Sequence, residues 1–344
     1  MKTVKEIYEF FMEGSRTDGP SSLLQLLKTQ PGFMTPENAD SGKMNMSMVM
    51  EYYKICEKMV NDVLLIRVKT DNMIPFNNEY FGIHSVNSSN PEEFIRELDY
   101  GIYDFKYRGF SYIFHHFKGS VVPIVGINEE GDEDNGTAYY IGNNLFVTAA
   151  HCVNGLVKFN LLKQEGDPFA LKEVWFPAGQ NTDDYDLAIV VTDEQPVFSP
   201  FWLGDPFVLD DVLTMGYPPI PGINPLLTAE TASVATFSQL QRKAVVGQVV
   251  GNANTYFNQL DYFLISARVK GGNSGGPVIN NEGRVIGTVI QIPFDNEGGF
   301  DGKRFDIMGF GICLPSKYVY SLIDYHDVKQ LVMENGYFLI NNNT

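Results

Sequence analysis

Ser274 lies in Gly271-Gly272-Asn273-Ser274-Gly275-Gly276-Pro277, one hydroxyl in a run of glycines. Such a run folds tightly, lets a peptide approach the backbone, and can turn the N–H groups of Gly272 and Ser274 toward one point, an oxyanion hole. A serine hydroxyl attacks a carbonyl only beside a base, and the base must be oriented by a carboxylate. The candidate base is His151, in Thr148-Ala149-Ala150-His151-Cys152, where small alanines leave room for the imidazole in a cleft. The candidate carboxylate is Asp186, at the mouth of the apolar run Leu187-Ala188-Ile189-Val190-Val191. From there it would fix the tautomer that accepts the serine proton. Asp184 shares its face by period-2 alternation and is the alternative. His84, His115, His116 and His326 have no comparable setting.

These motifs, in this order, resemble the trypsin-like serine peptidases, over residues 120–325. The similarity is greatest to the bacterial-type, disulfide-free branch that includes the HtrA (DegP-like) and V8-like enzymes. Gly136-Thr137-Ala138, Met215-Gly216-Tyr217-Pro218, Gly309-Phe310-Gly311-Ile312 and Leu314-Pro315-Ser316 add to the resemblance. It implies two six-stranded antiparallel β-barrels and a serine endopeptidase acting through an acyl-enzyme on Ser274, with no cofactor and a protein or peptide substrate. A catalytically silent peptide-binding or scaffolding module on the same fold is the alternative. The resemblance also places substrate-binding walls at Arg268, Val269, Lys270, Gly271, Ile290, Gln291 and Ile292, with Gly309 near the pocket floor. Arg268 would select an acidic P1 side chain or be satisfied by nearby acids; Ile290 and Ile292 would favour a small or apolar one. The 290–292 edge would pair with an extended peptide as an added strand. Cys152 takes the family's position for a cysteine beside the histidine, but Gly136 and Thr137 occupy the stretch where its partner would stand, which implies a free buried thiol. Asn273 replaces the aspartate that pairs with a newly cut N-terminus in secreted zymogens, so Ile124-Val125-Gly126 is not expected to be an activation site. Control would come instead from ordering the oxyanion loop.

The elements that must position these groups are short β runs from Ser120 onward: Ser120–Val125, Thr137–Ile141, Leu145–Thr148, Val157–Leu162, Leu187–Val191, Val212–Met215, Ala244–Val250, Tyr262–Ala267, Val278–Ile279, Val285–Ile292 and Asp306–Leu314. Ser316 then caps a C-terminal helix carrying Tyr318, Val319, Leu322 and Ile323. Residues 1–117 read differently, as an α+β or mostly helical accessory domain preceding a peptidase domain at 118–344. Thr3 and Glu6 form a capping-box pattern before Val4, Ile7, Tyr8 and Phe11, with Gly14 as the expected stop. Ser22–Lys28 and Met48–Val60 carry further helical periodicity, Val63–Val68 reads as a strand, and Asn90-Pro91-Glu92 as a helix cap. A regulatory partner acting through residues 1–117 is one expected use of this domain.

Composition bounds the rest. With 44% apolar and 19% charged residues the chain can bury a sizeable core. A formal net charge of −17 argues against nucleic-acid binding and against attraction to anionic membranes. Three cysteines, Cys56, Cys152 and Cys313, make no disulfide framework and point to a reducing compartment. Met1–Gly14 is charged throughout and lacks the apolar core of a secretory signal, and no run approaches the ~18 apolar residues of a membrane span. The expected location is therefore the cytoplasm. No HExxH or clustered Cys/His motif implies a metal.

Overall fold

The computed structural model describes residues 1–17, 19–34, 44–83, 90–164, 166–178, 185–218, 241–252, 260–269, 271–290 and 310–341. The chain divides into two compact units, Met1–Gly109 and Phe110–Thr344.

The first unit is α+β. Its opening helix, Val4–Thr17, starts with the capping box read from the sequence: Glu6 N–H donates to Thr3 Oγ1, and the Thr3 N–H to Glu6 Oε2. The helix continues through Gly14 rather than stopping there. A methyl at Gly14 would lie 2.1 Å from Ser21 Oγ, so glycine here admits a neighbouring segment. Helices Leu23–Lys28 and Met46–Asn61 follow, capped by Ser22 and Asn45. A three-stranded sheet in the order β1-β3-β2 is built from β1 (Ser21–Ser22), β2 (Leu65–Lys69) and β3 (Glu79–Gly82). Helices Pro91–Tyr100 and Ile102–Arg108 complete the unit. Phe11, Leu26, Tyr52, Met59 and Tyr80 are buried in its core.

In the second unit, helix Phe110–His116 lies on the barrel side of the division, so the compact unit begins before residue 118. Its anchors are visible: Phe117 stacks on Phe201 at 4.0 Å, and the Arg242 guanidinium donates to the Phe114 and Phe117 carbonyls. Six strands then form most of one barrel: β4 (Val121–Ile127), β5 (Glu133–Gly142), β6 (Leu145–Thr148), β7 (Lys158–Leu161), β8 (Leu171–Pro177) and β9 (Ala188–Thr192). Ile124-Val125-Gly126 lies inside β4, paired with β5 on one side and β7 on the other. The β5–β6 connection turns at Asn143 and Asn144, both with positive φ (50° and 66°), the requirement of a tight primed hairpin turn. The second barrel has the expected six strands, β10 (Asp211–Gly216), β11 (Lys243–Asn252), β12 (Phe263–Ile265), β13 (Pro277–Asn280), β14 (Val285–Ile290) and β15 (Gly311–Pro315), closed in the order β10-β11-β12-β15-β14-β13. Val212, Val249, Phe263, Ile286 and Val289 fill its core.

The expectation of two six-stranded barrels needs one correction. The first barrel has eight strands, because the chain does not end its regular structure with the helix Lys317–Asp324. It continues into a hairpin, β16 (His326–Glu334) and β17 (Tyr337–Ile340), that inserts between β8 and β7. His326–Gln330 pair with Pro177–Glu173, and Phe338 with Phe159. Trp175 stacks on the His326 ring at 4.0 Å. Among the described residues no helix is long and apolar enough to cross a membrane.

Candidate active site

The strand register explains why residues far apart in sequence meet. β6 and β9 are antiparallel, and their last pair is Thr148↔Ala188. Moving three residues forward from Thr148 reaches His151, while moving two or three back from Ala188 reaches Asp186 and Tyr185. The short helix His151–Asn154 turns the ring toward that carboxylate. His151 Nδ1 lies 2.6 Å from Asp186 Oδ2, and the His151 main-chain N–H donates to Asp186 Oδ1 at 2.9 Å. An ionised carboxylate only accepts, so Nδ1 carries a proton; when the ring is neutral, Nε2 is its acceptor. Burial alone would lower the pKa of this imidazole. The hydrogen bond to Asp186, reinforced by the Cys152 sulfur, outweighs it and holds the pKa above the ordinary histidine value.

Ser274 sits in the tight loop before β13, and the loop is tied to both barrels. The Ser274 carbonyl accepts the Thr137 N–H at 2.9 Å; Gly275 N–H donates to Val289 O at 2.7 Å; and Gly276 N–H donates to Asn273 O at 2.9 Å. Two glycines are required by shape. Gly272 and Gly275 have φ of +84° and +80°, and a methyl on Gly275 would lie 2.2 Å from both Thr137 O and Thr148 Oγ1.

Cys152 bridges the two halves. Its sulfur is 3.6 Å from His151 Nε2 and 3.5 Å from the Ser274 carbonyl. A methyl at Gly136 would lie 2.6 Å from that sulfur, so the thiol fills the space that a side chain at 136 would take. Cys56, Cys152 and Cys313 are all unpaired and buried. Among the described residues, Ser274 Oγ makes no hydrogen bond to Nε2; the sulfur occupies that side of the ring.

Residues 136–287 match the trypsin-like peptidase domain family. Protease Do-like 2, chloroplastic, of Arabidopsis thaliana is 30% identical over 158 residues, covering 46% of this chain and 24% of that one. Serine protease Do-like HtrA of Lactococcus lactis subsp. lactis is 28% identical over 221 residues, covering 62% and 49% respectively. The chain thus spans between a quarter and about half the length of these curated relatives. The crystal structure of the Rv3671c protease from M. tuberculosis, active form, matches with a TM-score of 0.47 at 20% identity, over 64% of this chain and 86% of that one.

Within the second unit the expected specificity residues are placed unevenly. Arg268 is exposed and makes no ion pair among the described residues. Val269 is half-buried against Gly311, where an added methyl would meet Val269 Cγ2 at 2.9 Å. Gly271 has open space around it. Ile290 is buried and pairs with Ile312. Lys270, Gln291, Ile292, Gly309 and the alternative carboxylate Asp184 lie outside the described residues. Sequence reasoning passed over Asn135 and Tyr217 as site-supporting residues. Asn135 Nδ2 donates to the Tyr217 carbonyl at 2.7 Å, and both crowd Gly272, where a methyl would lie 2.6 Å from Tyr217 O. Only Tyr217 carried a signal, as part of the Met215–Pro218 motif at the end of β10.

Proposed function

We propose that the domain is a serine endopeptidase. The observation that carries the reading is the 2.6 Å pair between His151 Nδ1 and Asp186 on one barrel, next to a serine loop tied to that barrel through Thr137 and Cys152. Ser274 Oγ attacks the scissile carbonyl while His151 Nε2 takes its proton, and the imidazolium returns that proton to the leaving amine. Asp186 holds the ring in the accepting tautomer and stabilises its charge. The N–H groups of Gly272 and Ser274 receive the oxyanion. Water then hydrolyses the acyl-enzyme by the same route in reverse. In this scheme Nε2 leaves the Cys152 sulfur and turns to the serine hydroxyl when a peptide fills the cleft. Val269 and Gly271 line the entrance for the P1 side chain, with Arg268 at its rim. Control by residues 1–117 and a reducing compartment, which the unpaired thiols fit, belong to the same proposal.

The sulfur contact at Nε2 favours one other reading, a silent domain that binds peptides without cleaving them. A fluorophosphonate probe separates the two. The endopeptidase reading expects labelling of the full chain that disappears in Ser274→Ala; a chain that stays unlabelled while still binding peptides would establish the silent module. Comparing residues 1–344 with 110–344 on a casein substrate tests control by the first unit, and equal rates would remove it.

A further inference from the structure

Two N–H donors of an oxyanion hole at Gly272 and Ser274 belong to the 271–272 and 273–274 peptides. The 272–273 peptide lies between them, and its orientation sets the angle between the donors. Glycine at 272 has no side chain to fix that orientation. Something outside the loop must do so, and the groups around the Gly272 carbonyl identify it.

Thr137 on β5 is fully buried. Its hydroxyl donates to the Gly272 carbonyl at 2.6 Å and accepts the Tyr217 N–H at 3.1 Å. Its own N–H holds the Ser274 carbonyl at 2.9 Å, and its carbonyl accepts Thr148 Oγ1 at 2.8 Å, three residues before His151. Its methyl faces Gly276: a Cβ there would lie 3.4 Å from Thr137 Cγ2. One residue of the first barrel therefore holds the carbonyls of Gly272 and Ser274 on the second. In a trans peptide, C=O and the following N–H point opposite ways, so a pinned Gly272 carbonyl fixes which way the 272–273 peptide faces. The neighbouring 273–274 peptide is fixed separately, through Gly276 N–H to Asn273 O. The Gly272 carbonyl also accepts the Tyr217 main-chain N–H, at 3.4 Å, and that N–H is shared with the Thr137 hydroxyl; the hydroxyl, at 2.6 Å, makes the shorter contact and is the side-chain group that holds the middle peptide.

We infer that Thr137 is a positioning residue for the oxyanion hole, acting through its hydroxyl on the Gly272 carbonyl. The inference rests on the endopeptidase reading. It makes the hydroxyl matter for the transition state and not for ground-state binding, because no Thr137 atom needs to touch substrate. Removing a whole oxyanion donor costs about 10²–10³ in kcat, and a donor left present but misaimed costs less.

The test compares Thr137→Val, which keeps the shape and loses the hydroxyl, with Thr137→Ser, which keeps the hydroxyl and loses the methyl. Thr137→Val is expected to lower kcat by about 10- to 100-fold on a peptide substrate with KM within about twofold. Affinity for a peptide boronic acid, which forms a tetrahedral adduct on Ser274, should fall by the same factor. Thr137→Ser should recover kcat to within about threefold of wild type. Should Thr137→Val not fold by circular dichroism, Thr137→Ala against Thr137→Ser isolates the hydroxyl, since both lack the methyl and only serine keeps the donor. Wild-type kcat in the valine or alanine variant, an effect confined to KM, or a serine variant as impaired as the valine or alanine one overturns the inference. A wild-type chain that takes no fluorophosphonate overturns the endopeptidase reading and this inference with it. A labelled, active wild type with an undisturbed Thr137→Val overturns this inference alone.

Discussion

Asp186→Asn is a nearly isosteric change that tests how the base is held. Asp186 accepts two hydrogen bonds from His151, one from Nδ1–H at 2.6 Å and one from the main-chain N–H at 2.9 Å. An asparagine amide has one acceptor and one donor side. If its oxygen faced Nδ1–H, its NH₂ would face the main-chain N–H, leaving a half-buried donor unmatched at a cost of about 1–3 kcal/mol. The reverse arrangement satisfies both contacts: the oxygen accepts the main-chain N–H and the NH₂ donates to Nδ1. That arrangement makes Nδ1 the acceptor and moves the ring proton to Nε2. The neutral histidine is then held in the tautomer that cannot take a proton from Ser274, and no charge remains to support the imidazolium. Loss of the accepting tautomer in serine triads lowers kcat by about 10⁴-fold, or about 5.4 kcal/mol at 1.36 kcal/mol per decade. The measurement is kcat on a fluorogenic peptide taken from a cleavage library, per mole of folded protein, with circular dichroism to show an unchanged fold. Asp184→Asn is the control and should stay near wild type. An Asp186→Asn enzyme within tenfold of wild type, or a 10⁴-fold loss in Asp184→Asn instead, refutes the assignment.

The raised His151 pKa fixes the sign of a pH effect. The base must be neutral, so the acid limb of kcat/KM should have its midpoint above about 6.5, the ordinary histidine value. Cys152→Ala should move that midpoint down, because the sulfur helps to hold the charged ring; a midpoint at or below the ordinary value in wild type, or no movement in the variant, contradicts this. In stability the same shift acts the other way: the protonated ring on Asp186 stabilises the fold below about pH 6.5 and loses that contribution as pH rises through the folded-state pKa. Truncation after Tyr325 removes β16 and β17 and leaves β7 and β8 without a neighbour on one side. Two unpaired strand edges are aggregation templates, so the truncated chain should melt lower and scatter light on warming. A monodisperse product with wild-type Tm would show that the barrel closes without the hairpin.

How far the chain could be read depended on whether a feature was local. The motifs around His151, Asp186 and Ser274 are contiguous, and their glycines and alanines announce backbone constraints that the structure contains, such as the positive φ at Gly272 and Gly275. The Thr3–Glu6 and Ser22–Gln25 caps are local as well, and both helices begin there. Gly14 misled because a glycine reads as a helix stop, whereas here it admits Ser21 from the neighbouring strand. The eight-stranded barrel was missed although a signal was present. Asn335-Gly336, between Val332-Met333 and Tyr337-Phe338, is a hairpin dipeptide, and both residues take positive φ (51° and 80°). What no local signal contains is the partner of that hairpin, since β16 pairs with β8 across roughly half the chain. Leu171–Pro177 escaped for a related reason: Lys172 and Glu173 break its apolar alternation, and only pairing on both edges makes it a strand.

The serine loop and the histidine belong to different barrels, and no disulfide fixes one to the other; Cys152, beside the histidine, is a free thiol. The seam is therefore closed by polar groups that are themselves buried. Tyr139 Oη meets Thr288 Oγ1 at 2.8 Å, Tyr217 Oη donates to the Val121 carbonyl at 2.7 Å, and Thr137 binds Gly272 and Ser274. Each such bond contributes only about 1 kcal/mol net, but a partner left unpaired in the seam costs as much again or more. A seam built this way disfavours sliding more than it resists separation, because any shift of register strands several donors at once. The proposed mechanism would use that property: Nε2 would travel only from the Cys152 sulfur to the serine hydroxyl, over a loop whose carbonyls stay fixed. A disulfide from Cys152 would tie the barrel at the cost of that thiol contact. With glycine at 136 the sulfur remains free, packed between the His151 ring and the Ser274 carbonyl.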